Sequence, residues 1–153
     1  MNFGEKLRVL LVEDNSADSD LILEALIDEK VAVDIDVVRD GEEALDYLLR
    51  RGEYVSSTRE RPDLILLDLN LPRMDGKELL AEIKQNLNLK VIPVVVLTTS
   101  QAEEDILKTY ELQASCYVTK PLNLNHFSKI IRTFDNFWFA AVKYPPKRES
   151  LDG

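Results

Sequence analysis

Two segments of the chain, Leu64-Ile65-Leu66-Leu67 and Val94-Val95-Val96-Leu97, are unbroken apolar runs of branched residues. Runs this short and this rich in Val, Ile and Leu read as strands covered on both faces. That environment exists in parallel sheets flanked by helices, not in sheets with one wet face. Comparable short runs recur along the chain, so that strands are expected at residues 7–12, 33–38, 63–67, 92–97 and 115–118.

The segments between them have helical spacing. Ile22, Ala25, Leu26 and Glu29 share one face, with Asn15 or Ser16 available as the cap. Leu45, Leu48 and Leu49 make the next stripe, and Leu79, Leu80, Ile83 and Leu87 the third. Asp75 followed by Glu78 has capping-box spacing, and Ser100 with Glu103 repeats it for a fourth helix. A fifth helix is read from Phe127, Ile130, Ile131, Phe134 and Trp138, with Asn123 placed to cap it. Five strand–helix units with right-handed crossovers give a doubly wound, five-stranded parallel α/β sheet of flavodoxin-like type, (βα)5. The charged stretch 50–62 and the tail 139–153, with its Tyr144-Pro145-Pro146, are expected to be exposed connection and extension.

Size and charge narrow the function. A chain of 153 residues suits one domain with a proper core. Its formal net charge of −9 repels a nucleic-acid backbone, so DNA binding by this chain alone is not expected. No apolar stretch approaches the roughly 20 residues that span a bilayer, and Met1 to Arg8 lack a signal-like pattern. A single cysteine, Cys116, excludes an internal disulfide and reads as a small buried residue. A cytoplasmic location is the simplest expectation.

The chemistry lies where the strands end. In an open parallel sheet the carboxyl ends of the strands form the ligand-binding edge. Glu13 and Asp14 follow the first strand, Asp68 the third and Thr98 the fourth, while Lys120 comes just after Tyr117-Val118 in the fifth. Three carboxylates brought together repel one another and call for a hard cation; Mg²⁺, held by carboxylates and phosphate oxygens, fits. Asp68 beside such a cation is a competent nucleophile towards phosphorus and would form an acyl phosphate. Alone, Asp68 would more readily be a cap for the next loop; the company of the other strand-end groups reverses that in favour of the nucleophile. Asn70 offers a carbonyl oxygen to the metal, most plausibly from its backbone. Thr98 can hydrogen-bond a phosphoryl oxygen, or simply satisfy local backbone. Lys120 would pair with the same phosphoryl group and, before it arrives, hold the carboxylates together. Tyr117, with an apolar body and a polar tip, is either a rotamer switch or an ordinary half-buried strand residue. His126, the only histidine, falls on the first turn of the last helix, away from the strand-end edge, and reads as structural. Phe134, Phe137 and Trp138 extend further round the last helix than one core face can use, which points to a partner surface.

With the acidic pair Glu13-Asp14, the segment LILLDLNLPRMDG around Asp68, VVVLTTS around Thr98 and Lys120-Pro121 after Tyr117, the chain resembles the response-regulator receiver domains of two-component signalling over residues 6–138. Glu stands where the family more often has its first Asp. The segments RRGEY, LDLNLPRMDGKELLAEIKQN and NFWFAAVKYPP are similar to those of the small stand-alone regulators of bacterial and cyanobacterial phytochromes. The resemblance implies a receiver at 1–139 followed by a C-terminal extension at 140–153, with no separate output domain. It implies phosphoryl transfer from a sensor histidine kinase, phytochrome-like, to Asp68. Mg²⁺, with Mn²⁺ or Ca²⁺ able to substitute, would be held by Glu13, Asp14, Asp68 and the Asn70 carbonyl. Thr98 and Lys120 would contact the phosphoryl group, Thr98 and Tyr117 would switch, and Phe134, Phe137 and Trp138 would join a homodimer. Such a protein is a phosphoacceptor with at most slow autodephosphorylation, not an enzyme, and it signals through protein contacts.

Three other readings compete. A Mg²⁺-dependent phosphohydrolase with an aspartyl-phosphate intermediate would want an acid two residues after the nucleophile, where Asn70 stands. A flavin carrier on this fold needs a hydroxyl- and Gly-rich phosphate loop in place of Glu13-Asp14-Asn15. A binding module that works without phosphorylation is disfavoured because every expected site residue is present.

Overall fold

The computed structural model describes residues 6–28, 33–99 and 103–120, together with Asn125, Lys129 and Arg132. Strand β1 (Leu7–Val12) leads into α1 (Ser16–Asp28), β2 (Val33–Val38) into α2 (Gly41–Leu49), and β3 (Leu64–Asp68) into α3 (Gly76–Gln85). Strand β4 (Val94–Thr98), α4 (Glu103–Glu111) and β5 (Cys116–Thr119) follow. All four strand pairings are parallel, in the order β2-β1-β3-β4-β5. The chain moves one way from β1 to β2 and then crosses back to β3, so β1 and β3 flank the point where the winding reverses. Ligands of open α/β sheets bind in the crevice beyond the strand ends at this point.

Strand alternation explains the two cores. Leu10, Val12, Ile65, Leu67, Val94 and Val96 face α2 and α3, where they pack with Ala44, Leu45, Leu48, Leu79, Leu80 and Ile83. Leu7, Val9, Leu11, Leu64, Leu66, Val95 and Leu97 face the other way, onto Ile22, Ala25 and Leu26 of α1. Every residue of β3 and β4 is buried, the reason those runs carry no polar alternation. Each fully buried leucine contributes roughly 2 kcal/mol of hydrophobic stabilisation. Strand β2 lies at an edge and alternates Val-Asp-Ile-Asp, so Asp34 and Asp36 project from the side that is not packed on α1.

The caps follow the sequence. Asn15 caps α1, its Oδ1 accepting from the Asp18 N–H at 3.0 Å. Asp75 and Glu78 form a reciprocal capping box on α3. Asp40 caps α2 by accepting from the Glu43 N–H at 2.7 Å.

Several expectations shift. Strands β3, β4 and β5 run one residue further towards their carboxyl ends than the apolar runs suggested, because the ladder continues through Asp68, Thr98 and Thr119. Leu87 does not belong to the α3 stripe. The helix ends at Gln85, and Asn86 turns the chain by accepting from the N–H groups of Asn88 and Leu89. Leu87 is left 77% exposed, while Leu89 fills the core position. The connection 50–62 is exposed, as expected, but is pinned down. Arg59 bridges to Asp34 and Asp36, Arg50 donates to the Arg59 carbonyl, and Tyr54 donates to Glu43. Ser100, His126 and the last-helix stripe, including Phe134, Phe137 and Trp138, lie outside the described residues.

Candidate phosphoryl and cation site

Parallel register sets the site. Val12 pairs with Leu67, placing Glu13 level with Asp68; Thr98 pairs with Thr119, placing Lys120 just beyond the row. Two backbone bonds extend the ladder to these residues, Glu13 N–H to the Val38 carbonyl at 3.0 Å and Lys120 N–H to the Thr98 carbonyl at 2.8 Å. Groups 107 and 52 residues away from Lys120 in the sequence are thus delivered to its ammonium.

Glu13, Asp14 and Asp68 each offer one carboxylate oxygen, and the three oxygens lie within 4.8 Å of one another. Glu13 is fully buried and Asp68 is 5% exposed, whereas Asp14 reaches solvent. Burial and the neighbouring Asp68 push the Glu13 carboxyl up to about 7, against the opposing pull of Lys120. A buried carboxylate held in that range accepts either a proton or a cation. All-oxygen donors, two of them buried and one at the surface, suit a hard divalent ion.

Lys120 supplies the countercharge. Its Nζ donates to Glu13 Oε1 at 2.6 Å and to Asp18 Oδ2 at 2.8 Å, and stands 3.5 Å from Asp68 Oδ2. Burial alone would lower its affinity for a proton; the bonds to Asp18 and Glu13 reverse that and hold the ammonium above its usual range. Sequence reasoning missed Asp18. Its only signal was an acid in the first turn of α1, which reads equally as a favourable charge at a helix start.

Asn70 and Thr98 complete the row. The Asn70 N–H donates to Asp68 Oδ1 at 3.1 Å, fixing the carboxylate plane, and its side-chain amide donates to Thr98 Oγ1 at 3.2 Å. Thr98 is fully buried at this contact. Tyr117 lies in the body of β5, opposite Val96, half-buried against the α2–α3 side of the core rather than on the strand-end row. Cys116 is half-buried, where desolvation raises its thiol pKa.

The loop after Asp68 is tightly built. A Cβ on Gly76 would lie 2.5 Å from Leu69 Cα and 2.6 Å from the Asp68 carbonyl oxygen, so only glycine lets α3 start this close behind Asp68. Arg73 takes a left-handed conformation (φ 69°) and is tied to Glu42 of α2 and to Asp40, the cap of that helix. Among the described residues, no helix is long and apolar enough to cross a membrane.

A five-stranded parallel sheet with a carboxylate cluster, a buried threonine and a buried lysine at its strand ends defines a receiver-type fold. The family comparison agrees: residues 9–132 match the response regulator receiver domain, and the chain belongs to that family. It is 50% identical over 137 residues to Response regulator Rcp1 of Synechocystis sp., covering 90% of this chain and 92% of that protein. It is 38% identical over 138 residues to Probable methanogenesis regulatory protein FilR2 of Methanothrix harundinacea, covering 90% and 86%. Among solved structures, the phosphorylated cyanobacterial phytochrome response regulator RcpA matches with a TM-score of 0.77 at 50% identity, over 89% of this chain and 96% of that one. The Mn²⁺-bound form of Rcp1 matches with a TM-score of 0.76 at 49% identity, over 90% and 98%. The chain is a response-regulator receiver similar to phytochrome response regulators.

Proposed function

We propose that Asp68 accepts a phosphoryl group from the phosphohistidine of a sensor histidine kinase, a phytochrome by analogy with the relatives. The observation that carries the reading is the buried Lys120 ammonium poised 3.5 Å from Asp68 Oδ2, among three convergent carboxylates. Asp68 Oδ attacks phosphorus, the P–N bond to the imidazole breaks, and its electron pair stays on that ring nitrogen, leaving an acyl phosphate on Asp68. Glu13, Asp14, Asp68 and the Asn70 carbonyl would hold a divalent ion, Mg²⁺, which when bound would neutralise the carboxylates and the incoming phosphoryl oxygens.

The protein groups then respond to the new charge. Thr98 leaves the Asn70 amide to hydrogen-bond a phosphoryl oxygen, and Lys120 pairs with another. The space Thr98 vacates is open to Tyr117, shifting the population of conformations on the α4–β5 face. Asn70, two residues after Asp68, cannot protonate a leaving group, so the phosphoaspartate decays slowly by water attack and no external substrate turns over. We place the receiver at residues 1–139 and an extension at 140–153. The stripe Phe134, Phe137 and Trp138 supports a homodimer, which sedimentation of the wild type beside Trp138→Ala would test. An unchanged dimer in the variant would contradict that surface.

Incubation with a small acyl-phosphate donor and Mg²⁺, followed by intact mass, tests the main reading. One added base-labile phosphoryl group is expected, and none in chelator. No adduct with Mg²⁺ present would favour a module that binds without phosphorylation.

A further inference from the structure

We propose that Asp18 is a positioning residue that holds the Lys120 ammonium off the acceptor and competes with the phosphoryl group for it, limiting the stability of the phosphorylated state. The proposal deepens the phosphoacceptor reading and rests on it.

The distances make the case. Lys120 is 6% exposed in its side chain and sits nearer to Glu13 (2.6 Å) and Asp18 (2.8 Å) than to Asp68 (3.5 Å). Its two short contacts are therefore to carboxylates other than the acceptor. Glu13 belongs to the cluster that a cation would occupy, and a cation withdraws its charge from Lys120. Asp18 is outside that cluster. It remains as the fixed anion against which a phosphoryl group on Asp68 must draw the ammonium.

Asp18 is also well held. It stands in the first turn of α1, with its N–H bonded to the Asn15 cap at 3.0 Å, which anchors its backbone at the helix start. Its side chain is 32% exposed. Replacing it with a neutral isostere leaves water to satisfy the position rather than a buried void. A merely supporting role predicts the opposite sign: without Asp18 the ammonium would be less well placed, and a phosphoryl mimic would bind more weakly.

Binding of beryllium fluoride, a phosphoryl mimic, at saturating Mg²⁺ reads the difference directly, by calorimetry or ¹⁹F resonance. Asp18→Asn should bind about fivefold more tightly than the wild type, the scale of one partly exposed ion-pair contact. Asp18→Ser should shift the same way and guards against a folding defect in one variant. The gain should vanish in a Lys120→Gln background, because Asp18 acts through Lys120. The lifetime of the acyl phosphate should lengthen by a similar factor. Unchanged or weaker binding in both Asp18 variants overturns the proposal while leaving the phosphoacceptor reading intact. A wild type that takes up no beryllium fluoride contradicts that reading itself, and the role of Asp18 with it.

Discussion

Replacing Asp68 by Asn should stabilise the metal-free protein even as it removes the proposed acceptor. Glu13 and Asp68 are both buried, with carboxylate oxygens no more than 4.8 Å apart, and they share one nearby cation, Lys120. Two unit charges at that separation repel by about 3 kcal/mol at an effective dielectric constant of about 20. Asp68→Asn removes this repulsion and forfeits the 3.5 Å contact to Lys120, worth about 1 kcal/mol, leaving a net gain of about 2 kcal/mol. For a chain of this size that is a rise in Tm of about 4 to 8 °C in chelator at pH 8. The pH dependence follows from Glu13. Its carboxyl rises from 4.5 to about 7 on folding, so between those values the folded state holds more protons than the unfolded chain. Metal-free stability therefore falls as pH rises from 4.5 through 7. The advantage of Asp68→Asn should accordingly be full at pH 8 and shrink as the pH falls through 7, as Glu13 takes up its proton. Thermal unfolding followed by circular dichroism across that range, in chelator, is the assay. A lower Tm for Asp68→Asn at pH 8 would refute the claim that the carboxylates strain one another.

Gly76→Ala should cost about 2 kcal/mol and reduce phosphoryl uptake together, because the new methyl meets Asp68 and Leu69 backbone that cannot yield; denaturant unfolding and adduct mass check the two effects. Tyr47→Phe should lose about 1 kcal/mol, the bond from its hydroxyl to Asp36 Oδ2 at 2.5 Å. Burial first, then Asp36, pushes the Tyr47 phenol up to about 12, so its contribution is complete below pH 10 and is lost between 10 and 12. Absorbance titration of the phenolates should show a component near pH 12 that the variant lacks.

The fold was legible because its information is local. The Val/Ile/Leu runs of β3 and β4 have no polar alternation, so only a doubly covered parallel sheet could hold them, and the caps at Asn15 and Asp75 mark helix starts within a few residues. The strand-end row was legible for the same reason, since parallel order alone aligns Glu13, Asp68, Thr98 and Lys120. What escaped depends on side chains meeting across the sequence. Asp18 reaches Lys120 over 102 positions, and the Asn70 amide reaches Thr98 over 28; neither contact has a periodic signature. Leu87 failed for a different reason: Asn86 can cap as well as continue a helix, and the local turn it makes outcompeted one more apolar position. The pinned connection 50–62 likewise depends on Arg59 finding Asp34 and Asp36 on the edge strand.

The most direct test of the account is chemical mapping of the phosphorylated residue. Protein phosphorylated in Mg²⁺ is reduced with borohydride, which converts an aspartyl phosphate to homoserine, then digested and sequenced by mass spectrometry. Homoserine at position 68, absent from the Asp68→Asn protein, is the result expected. A phosphorylated protein with Asp68 unmodified and the label at another carboxylate would contradict it.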